Sequence, residues 1–202
     1  MSSQVYHDLR AQALACTACD LARTRTQVVF GEGPVPAPIM IIGEGPGAQE
    51  DSTGKPFVGR SGQLLTKMLA SVDLDRTSDV YITNIVKCRP PDNRVPTAHE
   101  ISACRQYLNQ QLALVRPYIL ITLGAPALKT LLQESKPISK VRGQWYRLPV
   151  AYQADPVYAM PLFHPSYLLR NDSKAKGSPK WLTWHDLNEI KIAYQIYKNA
   201  TE

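Results

Sequence analysis

The hydrophobic residues of this chain alternate between short β-type runs and longer segments of helical period, which narrows the possible folds more than any other feature. Four apolar runs have the length of buried strands: residues 38–42, 80–83, 118–123 and 157–163. Such an alternation predicts a parallel sheet covered by helices on both faces. We therefore expect a single α/β domain over residues 1–202.

Two of the predicted helices have apolar stripes at intervals of three and four residues. The first stripe contains Leu64, Leu65, Met68, Leu69 and Val72, and the second contains Ile101, Cys104, Leu108, Leu112 and Val115. The second helix opens on a capping box, in which Thr97 and Glu100 satisfy each other's free backbone amides. A similar pattern at Thr183 and Asp186 predicts the start of the last helix.

The composition is that of an ordinary globular protein. With 44% hydrophobic and 20% charged residues, it excludes collagen, coiled-coil and disordered chains. No run of 18 apolar residues is present, and the first twenty residues lack the features of a signal peptide, so we expect an intracellular, cytoplasmic protein without membrane attachment. The formal net charge of +6 is consistent with a nucleic-acid partner, although many enzymes that never bind DNA have a similar charge.

Four cysteines, Cys16, Cys19, Cys88 and Cys104, are more informative than the charge. An intracellular chain is not expected to pair them as disulfides, and a Cys-x-x-Cys pair with two further cysteines can form a four-thiolate metal site. The spacing is not that of a zinc ribbon, yet zinc and an iron–sulfur cluster both remain open. The alternative for Cys104 is a buried core thiol. An N-terminal helix around residues 5–15 is expected to lead into the first pair.

A glycine or polar residue follows each predicted strand. Gly43 follows the first strand, Asn84 the second, Gly124 the third and His164 the fourth. Ligands of open parallel sheets bind at the carboxyl ends of the strands. We therefore expect these positions to converge on one binding site.

Residues 43–48, Gly-Glu-Gly-Pro-Gly-Ala, formally match the dinucleotide-binding fingerprint. However, Pro56 and the glycines around it are expected to delay the next helix until about Ser61. No acidic residue between Asp51 and Asp73 is available to bind a ribose. These departures disfavour a nicotinamide or flavin oxidoreductase.

Three longer motifs lie in segments 43–60, 83–91 (Thr-Asn-Ile-Val-Lys-Cys-Arg-Pro-Pro) and 164–170 (His-Pro-Ser-Tyr-Leu-Leu-Arg). Together they closely resemble the family 4 uracil-DNA glycosylases, the iron–sulfur enzymes common in thermophilic bacteria and archaea. The resemblance implies a three-layer α/β/α sandwich with a four-stranded parallel sheet. It also implies a [4Fe–4S] cluster on Cys16, Cys19, Cys88 and Cys104. A related cross-linking branch has a basic, histidine-containing insertion after the second motif, and its absence here favours the hydrolytic branch.

The implied activity is monofunctional hydrolysis of the N-glycosidic bond of a flipped-out deoxyuridine, which releases uracil and leaves an abasic site for base excision repair. No lysine is placed to form a Schiff base, so we do not expect strand cleavage. The expected partner is uracil-containing single- or double-stranded DNA, bound by a monomer, and contact with a sliding clamp is an unproven hypothesis. The alternative hypothesis is a DNA-binding protein that has a metal cluster but no enzymatic activity. Such a protein would not need so many polar groups at one edge of the sheet.

Three side chains are candidates for holding the flipped uracil. Phe57 could be the platform on which the ring stacks, although it could also be an ordinary core aromatic. The Asn84 amide can donate to uracil O4 and accept from N3–H, whereas cytosine has a donor and an acceptor in the reversed positions. An asparagine at a strand end can also simply form a turn. His164 could donate to O2 as negative charge develops on the leaving base, although a lone histidine in a loop often has no such role.

Two acidic residues complete the predicted pocket. Other branches of the superfamily have an aspartate in place of Gly45, so the resemblance makes Glu44 the best candidate for orienting water or stabilising the sugar. Glu50 is expected beside uracil C5, where it would exclude the methyl group of thymine, and Gly45 and Pro46 are expected to complete the substrate-binding loop. Both acids could instead be exposed loop charges.

The segment after the last strand is expected to contact DNA. Its apolar side chains could fill the gap left by the flipped base, and its cations could bind phosphates. The predicted DNA-binding residues are Ser166, Tyr167, Leu168, Leu169, Arg170, Lys174, Lys176 and Lys180. A solvated surface is the alternative for the lysines.

Overall fold

The computed structural model describes residues 2–150, 153 and 156–201. The strands are β1 (Ile39–Gly43), β2 (Val80–Asn84), β3 (Ile119–Leu123), β4 (Tyr146–Leu148) and β5 (Val157–Leu162). The helices are α1 (Ser2–Leu14), α2 (Leu21–Thr24), α3 (Ala48–Thr53), α4 (Arg60–Ala70), α5 (Ala98–Val115), α6 (Ala125–Leu132), α7 (Ile138–Val141), α8 (Pro165–Arg170) and α9 (Pro179–Thr201). A short 3₁₀ helix covers Pro91–Asn93.

The strands form one sheet in the order β2-β1-β3-β5-β4. The four predicted strands are its parallel part, and neighbouring side chains form continuous rows across them, such as Ile82, Ile41, Ile121 and Met160. Within the described residues the sheet has five strands rather than the predicted four, because β4 pairs antiparallel with β5 at one edge. This edge strand is only three residues long and is not fully buried, so it leaves no apolar run in the sequence.

Helices cover both faces of the sheet, which confirms the three-layer α/β/α architecture. One face packs against apolar side chains of α4 and α9: Leu65, Leu69, Leu187 and Ile190. The opposite face packs against apolar side chains of α5 and α6: Leu108, Val115 and Ala127. The two predicted apolar stripes thus face the core, and α1 lies outside α5 through the contacts of Leu9 and Ala13 with Tyr107.

The segment between β1 and α4 differs from the prediction. Helix α4 begins at Arg60, one residue before the expected position, but the short helix α3 precedes it. Gly54, in the left-handed region at φ 71°, ends α3. Six mostly polar residues without an apolar stripe gave no periodic signal of this helix.

Helix α9 begins earlier than predicted, at Pro179 rather than near Thr183. The Ser178 hydroxyl accepts from the Trp181 amide at 3.4 Å, and proline at the first helical position needs no hydrogen bond for its nitrogen. The Thr183 hydroxyl instead donates to the Pro179 carbonyl at 2.7 Å. Neither α9 nor any other described helix has the length and apolar character needed to cross a membrane.

The capping box at the start of α5 is present as predicted. The Thr97 hydroxyl accepts from the Glu100 amide at 3.2 Å, and the Glu100 carboxylate accepts from the Thr97 amide at 2.7 Å. Arg94 adds two hydrogen bonds to the same carboxylate, at 2.9 and 2.6 Å. Glu100 is only 3% exposed, and the Arg94 guanidinium in particular lowers the pKa of this carboxyl group to about 2.

We predict that Glu100→Gln lowers the free energy of unfolding by about 2 kcal/mol near neutral pH, because a charged acceptor of buried hydrogen bonds is lost. The pKa of Glu100 in the folded state lies below the 4.5 of an unperturbed carboxyl group. The stabilisation from the ionised carboxylate is therefore complete above pH 4.5 and disappears as the pH falls towards 2. Urea unfolding at several pH values measures the difference, with the exposed Glu189→Gln on α9 as the control. A pH-independent difference would contradict this account of Glu100.

Candidate active site

A cavity of about 700 Å³ opens at the carboxyl ends of the four parallel strands. Each of these strands supplies the cavity with a residue at or just after its end: Glu44, Asn84, Gly124 and His164. Further predicted site residues also line it: Gly45, Pro46, Glu50, Phe57, Ser166, Tyr167 and Arg170. The parallel sheet therefore brings the predicted uracil-site residues together in one place.

The register between β1 and β2 creates the floor of this cavity. Gly43 pairs directly with Asn84, and a Cβ atom on Gly43 would lie 2.5 Å from Asn84 Oδ1 and 2.6 Å from Phe57 Cζ. Both distances are too short for a real side chain. Glycine at this strand end thus allows an amide and an aromatic ring to lie against the same backbone.

Asn84 is almost fully enclosed, with 1% of its surface exposed. Its side-chain oxygen has no hydrogen-bond partner among the residues that the structure describes. A buried polar atom without a partner costs about 1–3 kcal/mol, which a ligand that donates a hydrogen bond to it would recover. Asn84 lines the larger cavity, so this oxygen is a candidate acceptor for an N–H group of a bound molecule.

Phe57 presents its ring beside this amide. The residue is buried, and its ring centroid lies 5.8 Å from that of His164 with an interplanar angle of 37°. Its backbone has φ 50°, which is uncommon for a bulky residue. An aromatic face, an amide and an imidazole are therefore held together at the floor of the cavity.

The protonation state of His164 follows from its surroundings. Its Nδ1 accepts from the Ser166 amide at 3.2 Å, which places the hydrogen of the neutral ring on Nε2. Burial lowers the pKa of His164 to about 4, and the positive charge of Arg170 acts in the same direction. His164 is thus a neutral hydrogen-bond donor through Nε2 at physiological pH.

The two acidic residues have different environments. Burial raises the pKa of the half-buried Glu44, which increases its affinity for a proton. Glu50 Oε1 accepts from the amides of Val58 and Gly59 at 2.9 and 2.8 Å, so its carboxylate holds the start of α4. Neither acid is the fully exposed loop charge that the sequence left as an alternative.

The structure changes one part of the predicted DNA-contacting segment. The expected loop is the helix α8, whose side chains point in different directions. Tyr167 is 38% exposed and lines the cavity, whereas Leu168 is 1% exposed and faces the core, so its assignment to a wedge between bases is wrong. Leu169 is half-buried and does not line the cavity.

The predicted lysine strip lies beyond the cavity wall. Lys174 and Lys176 are exposed and free to meet a phosphate backbone. Lys180 is half-buried and forms an ion pair with Asp172. A phosphate contact stays a prediction for these lysines, and Lys180 would have to exchange its carboxylate partner to make one.

The four cysteines line a second, narrow cavity between the N-terminal segment and α5. Arg25 donates to Cys88 Sγ and the Lys87 amide donates to Cys104 Sγ, both at 3.3 Å. Burial raises the pKa of both thiols, whereas these N–H donors favour the thiolate. The wall also contains four small side chains: Ala13, Ala18, Ala22 and Ala103.

Four cysteine side chains around one cavity are a possible donor set for a four-thiolate cofactor. Within the described ranges, no three His, Cys, Asp or Glu side chains are grouped closely enough to hold a single ion. An iron–sulfur cube binds one thiolate at each iron atom, so its cysteines stand farther apart than the ligands of one zinc ion. The four cysteines line one cavity together with four alanines, so they could serve as the thiolate ligands of such a cluster.

Lys87 connects the two cavities, a role that was not predicted from the sequence. Its side chain is fully buried, and Nζ donates to Thr83 Oγ1 at 2.7 Å and to the Asn84 carbonyl at 2.8 Å. Burial lowers the pKa of Lys87 to about 8. The available signal was a lysine within an otherwise buried run, and the side chain fixes the backbone that carries the Asn84 amide.

Comparison with known proteins places the same region in one family. A profile of the Uracil DNA glycosylase superfamily matches residues 30–188. A type-4 uracil-DNA glycosylase of Thermotoga maritima is 48% identical, in an alignment that covers 78% of this chain and 80% of the relative. A type-4 uracil-DNA glycosylase of Archaeoglobus fulgidus is 42% identical, in an alignment that covers 80% of this chain and 82% of the relative. A type-5 uracil-DNA glycosylase of Pyrobaculum aerophilum is 36% identical over 50% of each chain. The profile match contains the whole sheet and every residue that lines the larger cavity.

We predict that the imidazole of His164 does not titrate between about pH 8 and about pH 5.5, because its pKa lies at about 4. Heteronuclear NMR of ¹⁵N-labelled protein should show the hydrogen on Nε2 throughout this range. The His164→Gln variant assigns the resonance. A midpoint near 6.5, or a hydrogen on Nδ1, would contradict the neutral-donor assignment.

Proposed function

The chain belongs to the uracil-DNA glycosylase superfamily, and we propose that it is a type-4 enzyme whose residues 1–202 act as one glycosylase domain. It hydrolyses the N-glycosidic bond of deoxyuridine in DNA, releases uracil and leaves an abasic site for repair. The observation that carries the site assignment is the buried, unpartnered oxygen of Asn84 beside the ring of Phe57. Uracil has the N–H donor that this oxygen lacks.

Recognition begins with extrusion of the target nucleotide, because the duplex hides the bond to be broken. In our proposal the uracil ring stacks on Phe57, Asn84 Oδ1 accepts from N3–H, and Asn84 Nδ2 donates to O4. Cytosine presents an acceptor at N3 and a donor at C4, so it would leave the amide unpaired. Glu50 and the adjoining loop residues Gly45 and Pro46 bound the pocket, and Glu50 excludes the methyl group of thymine at C5.

Bond cleavage moves an electron pair from the C1′–N1 bond to N1 and O2 of the departing uracil. His164 Nε2–H donates to O2 and stabilises this charge, a contribution worth about 3–4 kcal/mol for a donor in a closed site. Water adds to C1′ of the sugar, and Glu44 orients that water and accepts its proton. The raised pKa of Glu44 supports this role, since a carboxylate with greater proton affinity is a better base.

We propose that Cys16, Cys19, Cys88 and Cys104 hold a [4Fe–4S] cluster. When bound, the cluster supplies a covalent cross-link between the N-terminal segment, the connection after β2 and helix α5. The hydrogen bonds to Cys88 and Cys104 support the assignment, because N–H donors stabilise thiolate ligands. Lys87 would then link the cross-linked segment to the Asn84 backbone.

The DNA itself is proposed to lie over the mouth of the larger cavity. Tyr167 and Arg170 are exposed at that mouth, and Ser166 lies beside His164. Lys174 and Lys176 extend the positive surface along the same connection. Action as a monomer, use of both single- and double-stranded DNA, and a sliding-clamp contact stay predictions from the sequence.

The function is tested by single-turnover release of free uracil from a uracil-containing oligonucleotide, beside a thymine-containing control. We predict that Asn84→Asp slows release about a hundredfold or more, equivalent to about 2.7 kcal/mol, because uracil O4 loses its donor. The matched control is Asn93→Asp, which adds the same charge to the same cavity wall and should lose far less activity. Unchanged release by Asn84→Asp would remove Asn84 from the recognition site, and a wild-type protein that releases no uracil would overturn the function.

The cofactor assignment predicts a brown protein with broad absorbance near about 400 nm and about four iron and four sulfide ions per chain. Zinc would leave the protein colourless. Cys88→Ala should lose the colour and unfold at lower denaturant concentration, because the cross-link after β2 is broken. Anaerobically purified, colourless protein with one zinc ion per chain would refute the cluster.

A further inference from the structure

The backbone of Phe57 is held in a conformation that needs external support. Its φ of 50° lies in the left-handed region, which costs an L-residue with a bulky side chain roughly 1–2 kcal/mol. This conformation sets the direction in which the ring enters the larger cavity. The groups that fix the Phe57 peptide therefore also fix the surface on which the base is proposed to stack.

Arg76 supplies the main polar support from outside the cavity. Its Nη1 donates to the Phe57 carbonyl at 2.7 Å, and its Nη2 donates to the Pro56 carbonyl at 2.5 Å. A third bond, from Nη1 to Thr66 Oγ1 at 3.1 Å, ties the guanidinium to α4. The planar fork of arginine suits two successive carbonyls, and a lysine offers only a single point of attachment.

The same carbonyl group also packs against α4 at Gly62. A Cβ atom there would lie 1.9 Å from both the carbonyl carbon and the carbonyl oxygen of Phe57. The helix backbone thus lies directly against the peptide, which cannot move towards it. Gly62 and Arg76 together hold the Phe57 carbonyl in place.

The guanidinium is itself fixed by burial and charge. The Arg76 side chain is 15% exposed, and Glu32 Oε2 lies 3.9 Å from its Nη2. Glu32 in turn forms a backbone bridge with Ile82 of β2. Arg76 is absent from the lining of the larger cavity, so it has no direct route to a bound base.

We propose that Arg76 is a positioning residue for uracil, acting through the backbone of Phe57. The inference rests on the proposed function, since it assigns to Phe57 the stacking of the flipped base. Loss of Arg76 frees the Phe57 carbonyl, lets the ring leave its place on Gly43 and weakens the alignment of uracil with Asn84 and His164. DNA contacts at the cavity mouth are unaffected.

A double-mutant cycle between Arg76→Gln and Phe57→Ala tests the proposal, with single-turnover uracil release as the measurement. We expect Arg76→Gln to slow release about tenfold in the wild-type background, since small misplacements of a reacting group have large kinetic effects. In the Phe57→Ala background, Arg76→Gln should slow uracil release by less than about twofold, because the ring through which Arg76 acts is gone. Arg76→Lys should recover part of the loss, and binding of abasic DNA should stay at the wild-type level.

The matched control is Arg105→Gln. Arg105 is also half-buried and donates to a backbone carbonyl, that of Thr130 at 2.8 Å, but it lies on α5 away from the larger cavity. Its substitution should leave the rate unchanged even if it lowers the melting temperature. Equal losses from Arg76→Gln in both backgrounds, or no loss in either, would overturn the positioning role. A Phe57→Ala protein with full activity would instead contradict the stacking role of Phe57 in the proposed function.

Discussion

Parallel pairing of β1 with β2 places Gly43 directly beside Asn84, and the geometry of the site depends on this register. A slip of one residue would turn the Asn84 side chain to the other face of the sheet. The absence of a side chain on Gly43 then leaves room for both the amide and the Phe57 ring. The strand ends of β3 and β5 complete the cavity with Gly124 and His164.

Burial determines the chemistry of the groups collected there. It keeps Asn84 Oδ1 away from water, and this oxygen has no hydrogen-bond partner in the part of the chain that the structure describes. The same burial keeps His164 neutral and raises the proton affinity of Glu44. In the proposed function, the neutral donor stabilises the departing base and the carboxyl group with raised pKa activates the water that attacks the sugar. Lys87 and Arg76 hold two other parts of the cavity floor, because Lys87 donates to the Asn84 carbonyl and Arg76 donates to the Phe57 carbonyl.

The sequence predicted those parts of the structure that leave a periodic or positional signal. Buried strands, two apolar stripes and the capping box of Thr97 and Glu100 have such signals. Helix α3 and the edge strand β4 do not, because they are short and bury no regular set of side chains. The wedge assignment of Leu168 was wrong because adjacent residues on a helix face different directions, which a loop assumption ignores. Lys87 and Arg76 were missed because the partners of their side chains follow from the folded chain rather than from spacing.

The central claim is that the orphaned oxygen of Asn84 accepts the N3–H of uracil. Calorimetric titration of the wild-type protein with 1-methyluracil and 1,3-dimethyluracil tests it most directly, because the two ligands differ only in whether N3 carries a hydrogen or a methyl group. The account predicts that 1-methyluracil binds and that 1,3-dimethyluracil binds at least about tenfold more weakly, since a buried acceptor is then left without its donor. Equal affinity for the two methylated bases would contradict it.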